Sequence, residues 1–376
     1  MGIELESVES GELPLDVVIG ILSRIPVKTL FRFKSVCTTW DAMIPTSPYL
    51  VSTHLKNYTR ASLLCSYHER GTRLVSLSPE DDDPAQPPTT LATGDLARLV
   101  CGAGNGVFLL GGPNVFQSGH YHLWNPATRE IRQLPDPPLA LELDPSHPLH
   151  HYLWHYSDYC GIGLTDDDIK VVLIRNYVYR GPRYNVLPPD LGYPSPVFVY
   201  TLRSNCWREL PERYSYQEKR ELTHSMFRWC TYFEGFLYRL SMDRHGIFVV
   251  AFDMATDVFH KITCPFGAAC WSCNLSVYGD SSIALFRQLD SLSVEVWLLS
   301  RSGGGWYWMK HSSLDPLPEQ LHVQGWWKDD QLVAQTSGPR NDMVLFDMTT
   351  QECKLLIPNC MLERWNVYKE SLFRIE

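Results

Sequence analysis

From Glu12 to Trp40 the chain reads ELPLDVVIGILSRIPVKTLFRFKSVCTTW, with apolar residues at helical spacing. Pro14 suits the first turn of a helix, Asp16 complements its dipole and Pro26 ends it. Stepped at about 100° per residue, Leu15, Val17, Val18, Ile19, Ile21, Leu22 and Ile25 fill an arc of about 200°. One core-facing stripe takes about 100°. A second helix is predicted from Val27 to Cys37, with Leu30, Phe33, Val36 and Cys37 on one side and Lys28, Arg32 and Ser35 on the other. Trp40, Met43 and Ile44 predict a third short helix, closed by a turn at Pro45-Thr-Ser-Pro48. Tyr49, Leu50, Val51 and Leu55 add a last amphipathic turn. Three short helices cannot cover so much apolar surface between them. The surplus packs either on the rest of the chain or on a second protein.

After Arg60 the period changes. Short apolar runs alternate with turn residues, as in an all-β chain: Ser62-Leu-Leu-Cys-Ser, Gly106-Val-Phe-Leu-Leu, Ile169-Lys-Val-Val-Leu-Ile, Gly235-Phe-Leu-Tyr-Arg-Leu and Ser282-Ile-Ala-Leu-Phe. PEDDDPAQPP, residues 79–88, reads as a solvated loop. A repeat runs through this region: LWNPATREIRQLP from 123, AFDMATDVFHKIT from 251 and LFDMTTQECKLLI from 345. Each is a strand end, an Asn or Asp, a Thr three residues later and a second strand. VYTLRSNCWRELP from 199 is a weaker copy, with Ser204 in the Thr position. VWLLSRSGGGWYWMK from 296 is another, expected to carry a longer, Gly-rich turn. Asx and Thr side chains bond nearby backbone in such turns, and the flanking apolar residues pin the register. Most copies are spaced about 50 residues apart, the range of kelch-type propeller blades, which leaves room for roughly six. The expected fold is therefore a small all-α N-terminal unit of three short helices, then a large all-β, propeller-like domain. The boundaries are a flexible stretch at 1–11, the helical unit at 12–58 and the β-domain at 60–376.

Composition narrows the partners. The 376 residues carry a net charge of −9 and no Lys/Arg-rich run, which argues against nucleic acid or an anionic membrane. The N-terminus is acidic and lacks an apolar core, so no secretory signal is read there. VFLL and FVVAF fall far short of the roughly 20 residues a membrane span needs. The 11 cysteines show no framework spacing and are expected as reduced thiols in cytoplasm or nucleus.

Within the helical region, Leu13-Pro14, Ile21-Leu22-Ser23-Arg24-Ile25-Pro26, Val27-Lys28-Thr29-Leu30, Phe33-Lys34-Ser35-Val36-Cys37 and Trp40 resemble an F-box, closest in wording to those of land plants. Ser47-Pro48-Tyr49-Leu50 and His54-Leu55 fit as well. The repeat at LWNPATREIRQLP resembles the F-box-associated domain of plant F-box proteins, as do Gly161-Ile-Gly and Ile169-Lys-Val-Val. Ile162 stands where that family carries an aromatic, and Asp168-Ile169 where it has Asp-Tyr. The resemblance implies a module that binds a Skp-type adaptor and, through it, a cullin scaffold. It implies a β-domain that recruits a protein substrate for ubiquitination and degradation. The adaptor-facing and core anchors would be Leu13, Pro14, Ile21, Leu22, Ile25, Pro26, Leu30, Phe33, Val36 and Trp40. The adaptor's helices would cover the surplus apolar arc, a helix-in-groove contact. An adaptor-binding protein whose partner is not degraded, and a propeller enzyme with a helical cap, are the alternatives.

Sites of chemistry are weak. Gly102-Ala-Gly104-Asn-Gly106 imitates a phosphate loop but precedes a β-like run and lacks the P-loop Lys, so a turn is expected. His147, His150, His151, His155 and Cys160 cluster. His151 and His155 have metal-ligand spacing on a helix, yet two prolines break the run and no HExxH is present. Cys270-Trp-Ser-Cys273 has no second CxxC to complete a metal site, so packed thiols are expected. No nucleophile elbow or carboxylate pair stands out, and no catalytic residue, metal or cofactor is assigned. Trp326-Trp327 and Tyr152-Trp154-Tyr156 are candidates for loops. Two segments are read as loop-rich and suited to a partner: Leu143 to Asp158, with Tyr152 and Trp154, and Arg175 to Pro196, with Arg180, Arg183 and Tyr184. Arg and Tyr are enriched at interface hot spots. An acidic substrate surface would complement the arginines.

Overall fold

The computed structural model describes residues 13–68, 72–78, 89–93, 98–111, 120–138, 153–165, 168–179, 196–211, 230–243, 245–266, 272–290, 292–317, 320–337 and 341–375. The expected flexible stretch at 1–11 and the loop at 79–88 lie outside them.

Among the described residues four helices come first: α1 Leu15–Leu22, α2 Val27–Phe33, α3 Thr38–Thr46 and α4 Pro48–Asn57. The expectation of three is corrected by Ser47. Its side chain accepts the Leu50 backbone N–H at 3.2 Å, and Pro48 occupies the first turn. Pro45-Thr-Ser-Pro48 thus closes α3, as expected, and its Ser47-Pro48 also opens a full fourth helix, because proline at the first helical position needs no N–H partner. The second helix stops at Phe33, short of Cys37. There the Ser35 hydroxyl donates to the Arg32 carbonyl at 2.8 Å and competes with the helical ladder.

The remaining elements form six four-stranded antiparallel sheets among the described residues. β1 (Ala61–His68), β2 (Thr72–Leu77) and β3 (Thr89–Thr93) begin the first. The second holds β4 (Arg98–Gly102), β5 (Phe108–Gly111), β6 (His122–Asn125) and β7 (Glu130–Gln133). The third holds β8 (Leu153–Leu164), β9 (Ile169–Tyr179), β10 (Val197–Thr201) and β11 (Cys206–Glu209). The fourth holds β12 (Thr231–Phe233), β13 (Phe236–Asp243), β14 (Gly246–Asp253) and β15 (Val258–Thr263). The fifth holds β16 (Ser272–Tyr278), β17 (Ser282–Gln288), β18 (Val294–Ser302) and β19 (Gly305–Leu314). The sixth holds β20 (Leu321–Lys328), β21 (Gln331–Thr336), β22 (Met343–Asp347) and β23 (Cys353–Ile357). The last strand, β24 (Met361–Lys369), returns to the first sheet and pairs with β1, Ala61 opposite Lys369 and Leu64 opposite Asn366. This pairing closes a six-bladed propeller, with β24 covering the edge of β1 as the inner strand of the first blade.

The repeat is the outer hairpin of five blades. The Asn125 Oδ1 accepts from Ala127 N at 3.0 Å. The Asp253 Oδ1 accepts from Ala255 N and Thr256 N at 2.8 and 3.2 Å, and the Asp347 Oδ1 from Thr349 N and Thr350 N at 2.9 Å each. Each turn then places its last residue in the left-handed region: Arg129, Asn205, Asp257 and Gln351 at φ 63°, 50°, 59° and 58°. The Gly-rich copy departs from expectation. Ser302 pairs directly with Gly305, so its turn holds two residues, Gly303 and Gly304, both at positive φ. It is the shortest of the five turns, since a two-residue hairpin of this hand demands such backbone.

Core side chains sit between blades. Tyr200, Phe198, Val171 and Ile162 pack with second-blade Leu109 and Leu123. Trp326 packs with Phe286, Val296 and Phe346, whereas Trp327 joins Leu63, Val75 and Leu345 in a different cluster. The two tryptophans therefore face opposite ways, as neighbours on a strand must. Both are buried in β20 and neither is on a loop. A blade between two others has no exposed face, so alternation along its strands does not mark an outside.

Candidate partner-binding faces

Ala61 and Lys369, paired at one end of the first sheet, mark the face of the propeller from which the helical unit departs. The tight turns between the two innermost strands of the other blades, such as Lys328 to Gln331 and Tyr278 to Ser282, lie on this same face, and so does the outer turn after Asn125. The connections from second to third strand, and from blade to blade, leave the opposite face. Among these are the long ones, between β7 and β8, β9 and β10, and β11 and β12.

The helical unit splits its apolar residues in two. Ile19, Leu22, Val27, Leu30, Ile44 and Leu50 form its buried core. α4 holds the end of α1 with polar contacts: the Asn57 amide donates to the Ser23 hydroxyl at 2.8 Å, and the His54 Nε2–H donates to the Ile25 carbonyl at 3.0 Å. Burial lowers the His54 pKa below its ordinary value; the bond to Ile25 and the nearby Glu370 carboxylate oppose this without cancelling it. His54 also stacks on Tyr58, ring centroids 5.1 Å apart.

The other half of the arc stays open. Leu13, Val17 and Ile21 are 61%, 45% and 51% exposed, Leu15 is exposed at the first turn of α1, and Val36, just past α2, is 61% exposed. Val17 and Ile21, four residues apart, share one stripe of α1. Phe33 and Trp40 are half-buried, with ring centroids 5.7 Å apart. Of the ten residues assigned to the adaptor, Leu13, Pro14, Ile21, Pro26 and Val36 are exposed. Ile25, Phe33 and Trp40 are half-buried, and Leu22 and Leu30 are core. Val17 belongs to the open stripe as well, and the width of the apolar arc was the signal for it; Leu15, on the side of Ile19 and Leu22, is exposed at the first turn of the helix.

Tyr152, Arg180, Arg183 and Tyr184 lie outside the described residues, as do His147, His150 and His151. Trp154 and His155 are in β8, and Arg175 through Tyr179 belong to β9, which corrects the reading of those stretches as loop. Leu153 pairs with Tyr179, so the β8–β9 hairpin runs on as ladder where a connection was expected. Arg175 is buried and its Nη1 donates to the Pro138 carbonyl at 2.7 Å, so it is a structural residue. With His155 on a strand, helical His151–His155 spacing does not arise. Among the described residues no group of three or more His, Cys, Asp or Glu could hold a metal. Sequence reasoning missed Met242, Leu289, Leu292 and Met361, exposed at strand ends and connections of the face opposite the helices. Each is a single apolar residue beside a turn, with no pattern to mark it.

A cavity of about 610 Å³ lies among the inner strands, lined by Tyr232, Trp327, Arg364 and Asn366 and by turn residues Glu234, Asp280 and Asp329. The buried thiols of the blades are poor nucleophiles, since burial pushes Cys101 and Cys264 up to about 12 and Cys360 up to about 11. Cys273 is disulfide-bonded, its partner outside the described residues, which corrects the expectation of thiols throughout. A bridge depends on two sulfurs meeting in space, and neither cysteine count nor framework spacing tests that. The glycine-rich 102–106 stretch is a turn: Ala103 N donates to Val107 O at 2.9 Å. Gly106 sits at φ 79°, and a Cβ there would meet Ser371 Cβ at 2.6 Å and the Lys369 carbonyl at 2.7 Å.

Residues 11–44 match the F-box domain, and residues 105–366 match the F-box associated beta propeller domain. The chain is similar to three proteins of Arabidopsis thaliana. It is 27% identical over 268 residues to F-box protein At5g49610, covering 67% of this chain and 64% of that protein. It is 22% identical over 301 residues to F-box protein At3g08750, covering 77% and 70%. Over 351 residues it is 23% identical to F-box/kelch-repeat protein At3g23880, covering 86% and 84%. The match to the first of these spans less than two thirds of that relative's length.

Proposed function

The chain belongs to the plant F-box proteins that carry an F-box-associated β-propeller domain, and from that premise we propose that it is the substrate-recognition subunit of an SCF-type (Skp–cullin–F-box) ubiquitin ligase. The observation that carries this reading is the open apolar stripe of α1, Val17 and Ile21, with exposed Leu13 and Leu15 at the helix start, on a unit whose own core is already filled. A soluble chain leaves such a stripe in water at a cost unless a partner covers it. The partner is a Skp-type adaptor, which takes the stripe together with Pro14, Ile25, Pro26, Phe33, Val36 and Trp40. Leu22 and Leu30 support that surface from beneath. Through the adaptor the chain meets a cullin scaffold.

The substrate is a protein held on the face opposite the helices. Long connections leave that face, exposed Met242, Leu289, Leu292 and Met361 lie on it, and Arg180, Arg183, Tyr184, Tyr152 and Trp154 are the assigned contacts. The receptor works by position. It raises the effective concentration of substrate lysines near a charged ubiquitin carrier and needs no active site or cofactor of its own. Its place of action is cytoplasm or nucleus.

Three measurements test this. Recombinant Skp-type adaptor should co-purify with the wild-type chain and fail to co-purify with Leu13→Ala/Pro14→Ala; equal recovery of both would sink the adaptor assignment. A captured partner should also accumulate when the proteasome is inhibited. A partner whose level does not change would favour the non-degradative alternative. Substitution of Arg180, Arg183 and Tyr184 by Ala should abolish substrate capture and leave adaptor binding intact.

A further inference from the structure

α4 ends at Asn57 and β1 begins at Ala61, so three residues join the helical unit to the propeller. A single short connection acts as a hinge. A second attachment runs beside it. After β24 the chain continues as an extended segment, 370–375, lying between the two units. Its side chains alternate, as extended backbone requires. The Glu370 carboxylate accepts the Val27 N–H at the start of α2 at 2.7 Å, and Leu372 is buried in the helical core among Ile19, Leu30 and Ile44. Phe373 and Ile375 turn the other way and pack into the core between the second and third blades.

The propeller grips the same segment by its backbone. The Asn125 amide donates to the carbonyls of Ser371 and Phe373 at 3.0 and 2.8 Å. The Arg132 Nη1 donates to the Ile375 carbonyl at 3.1 Å, and Glu130 accepts the Ile375 N–H at 3.1 Å and pairs with Arg374. Gly106 admits the segment because a side chain there would collide with Ser371. Asn125 thus does two jobs: its oxygen shapes the outer turn and its nitrogen holds the segment.

We infer that residues 370–375 are a strut that locks the F-box against the propeller, so that the adaptor-binding stripe and the opposite face keep one fixed relative orientation. Glu370 and Leu372 are positioning residues for ubiquitin transfer, a consequence that rests on the receptor reading above. A hinge alone would let the substrate face sweep through a range of directions. A joint with two attachments, the short linker and the segment beside it, confines it, and transfer depends on where lysines are held relative to the ubiquitin carrier.

The test is a distance distribution between spin labels in the full chain. Labels go on Ser52→Cys, exposed on α4, and on native Cys353, exposed on β23, with exposed Cys37 and Cys206 replaced by serine. The distribution should be narrow with the strut intact and at least twofold broader in Glu370→Ala/Leu372→Ala. The conservative pair Glu370→Gln/Leu372→Met should restore the narrow distribution, because Gln retains a carbonyl acceptor and Met fills the pocket. Asn125→Ala removes two of the propeller's bonds to the segment, and the acceptor for Ala127 beside the helical core, while leaving Glu370 and Leu372 themselves in place. It should broaden the distribution even if the double variant disturbs that core. In a ligase reconstituted with adaptor and cullin, Asn125→Ala should retain adaptor binding while ubiquitin transfer onto the receptor itself changes severalfold in rate. An unchanged width in Asn125→Ala, with the helices still folded by circular dichroism, overturns the strut. A wild-type chain that does not bind Skp-type adaptor overturns the receptor reading instead, and the width measurement, made on the chain alone, still decides the strut.

Discussion

The F-box and the propeller are both rich in apolar residues, yet they differ in what covers them. In the propeller each blade lies between two others, so Phe198, Phe286 and Phe346 are buried by neighbours of the same chain. In the F-box one half of the apolar arc is buried and the other, Val17 and Ile21, faces water together with Leu13 and Leu15 at the helix start. The same residue types therefore carry different tasks. In the blades they supply folding free energy, and on α1 they leave surface open, which the proposed adaptor would cover.

This contrast is testable by substitutions that separate stability from binding. The largest effect belongs to the blades. Phe198→Ala should destabilise the propeller by about 3–5 kcal/mol, because it empties a filled inter-blade site; chemical denaturation followed by tryptophan fluorescence reads this. A loss below about 1 kcal/mol would mean that the blades are far looser than their burial implies.

Next comes the open stripe. Leu13→Ala with Ile21→Ala should leave the chain's own stability within about 0.5 kcal/mol, as exposed positions do. Adaptor affinity should fall on the order of 30-fold, about 2 kcal/mol, by calorimetric titration. If this variant unfolds instead, the stripe is part of the core and the contrast between the two regions fails.

The outer hairpins give a smaller effect. Asp253→Ala removes the acceptor for Ala255 N and Thr256 N in an exposed turn, and a loss of about 1 kcal/mol in the thermal transition is expected. Adaptor binding should not change, since this turn lies on a different blade from the one that touches the helices.

The smallest effect is a pH dependence confined to the F-box. Burial depresses the folded His54 pKa below the ordinary 6.5 of the unfolded imidazole. Below 6.5 the unfolded chain takes up a proton that the folded chain does not. The F-box therefore keeps this stability above that value and loses it as pH falls toward the folded pKa. Glu370 faces the same ring and moderates the loss. Thermal midpoints measured between about pH 8 and about pH 5 should drop for wild type and stay flatter for His54→Gln. Parallel curves would remove His54 from the account.

Much of the architecture was legible along the chain, because strand alternation, turn chemistry and helical spacing are local. The Asn/Asp-to-Thr repeat, with its two weaker copies, located the outer hairpins of five blades, and the spacing pointed to six. The excess width of the α1 arc indicated that something had to cover it. Local pattern failed where the deciding contact is distant in sequence. Whether Trp326 and Trp327 are both buried depends on two neighbouring blades, and whether Arg175 is a surface contact or a structural bond depends on Pro138.

By itself the sequence determined the strand periodicity, the turn residues, the F-box wording and the existence of surplus apolar surface, since each depends on residues within a few positions of one another. Only the tertiary structure decided which half of the arc is left open. It also decided that Glu370 to Ile375, an unremarkable stretch when read alone, stitches the first helices to the second blade. Alternation along an extended segment shows that it has two sides. What lies against each side is set by groups some 240 to 340 residues away, at Asn125 and Val27, and only the closing of the propeller brings those groups together.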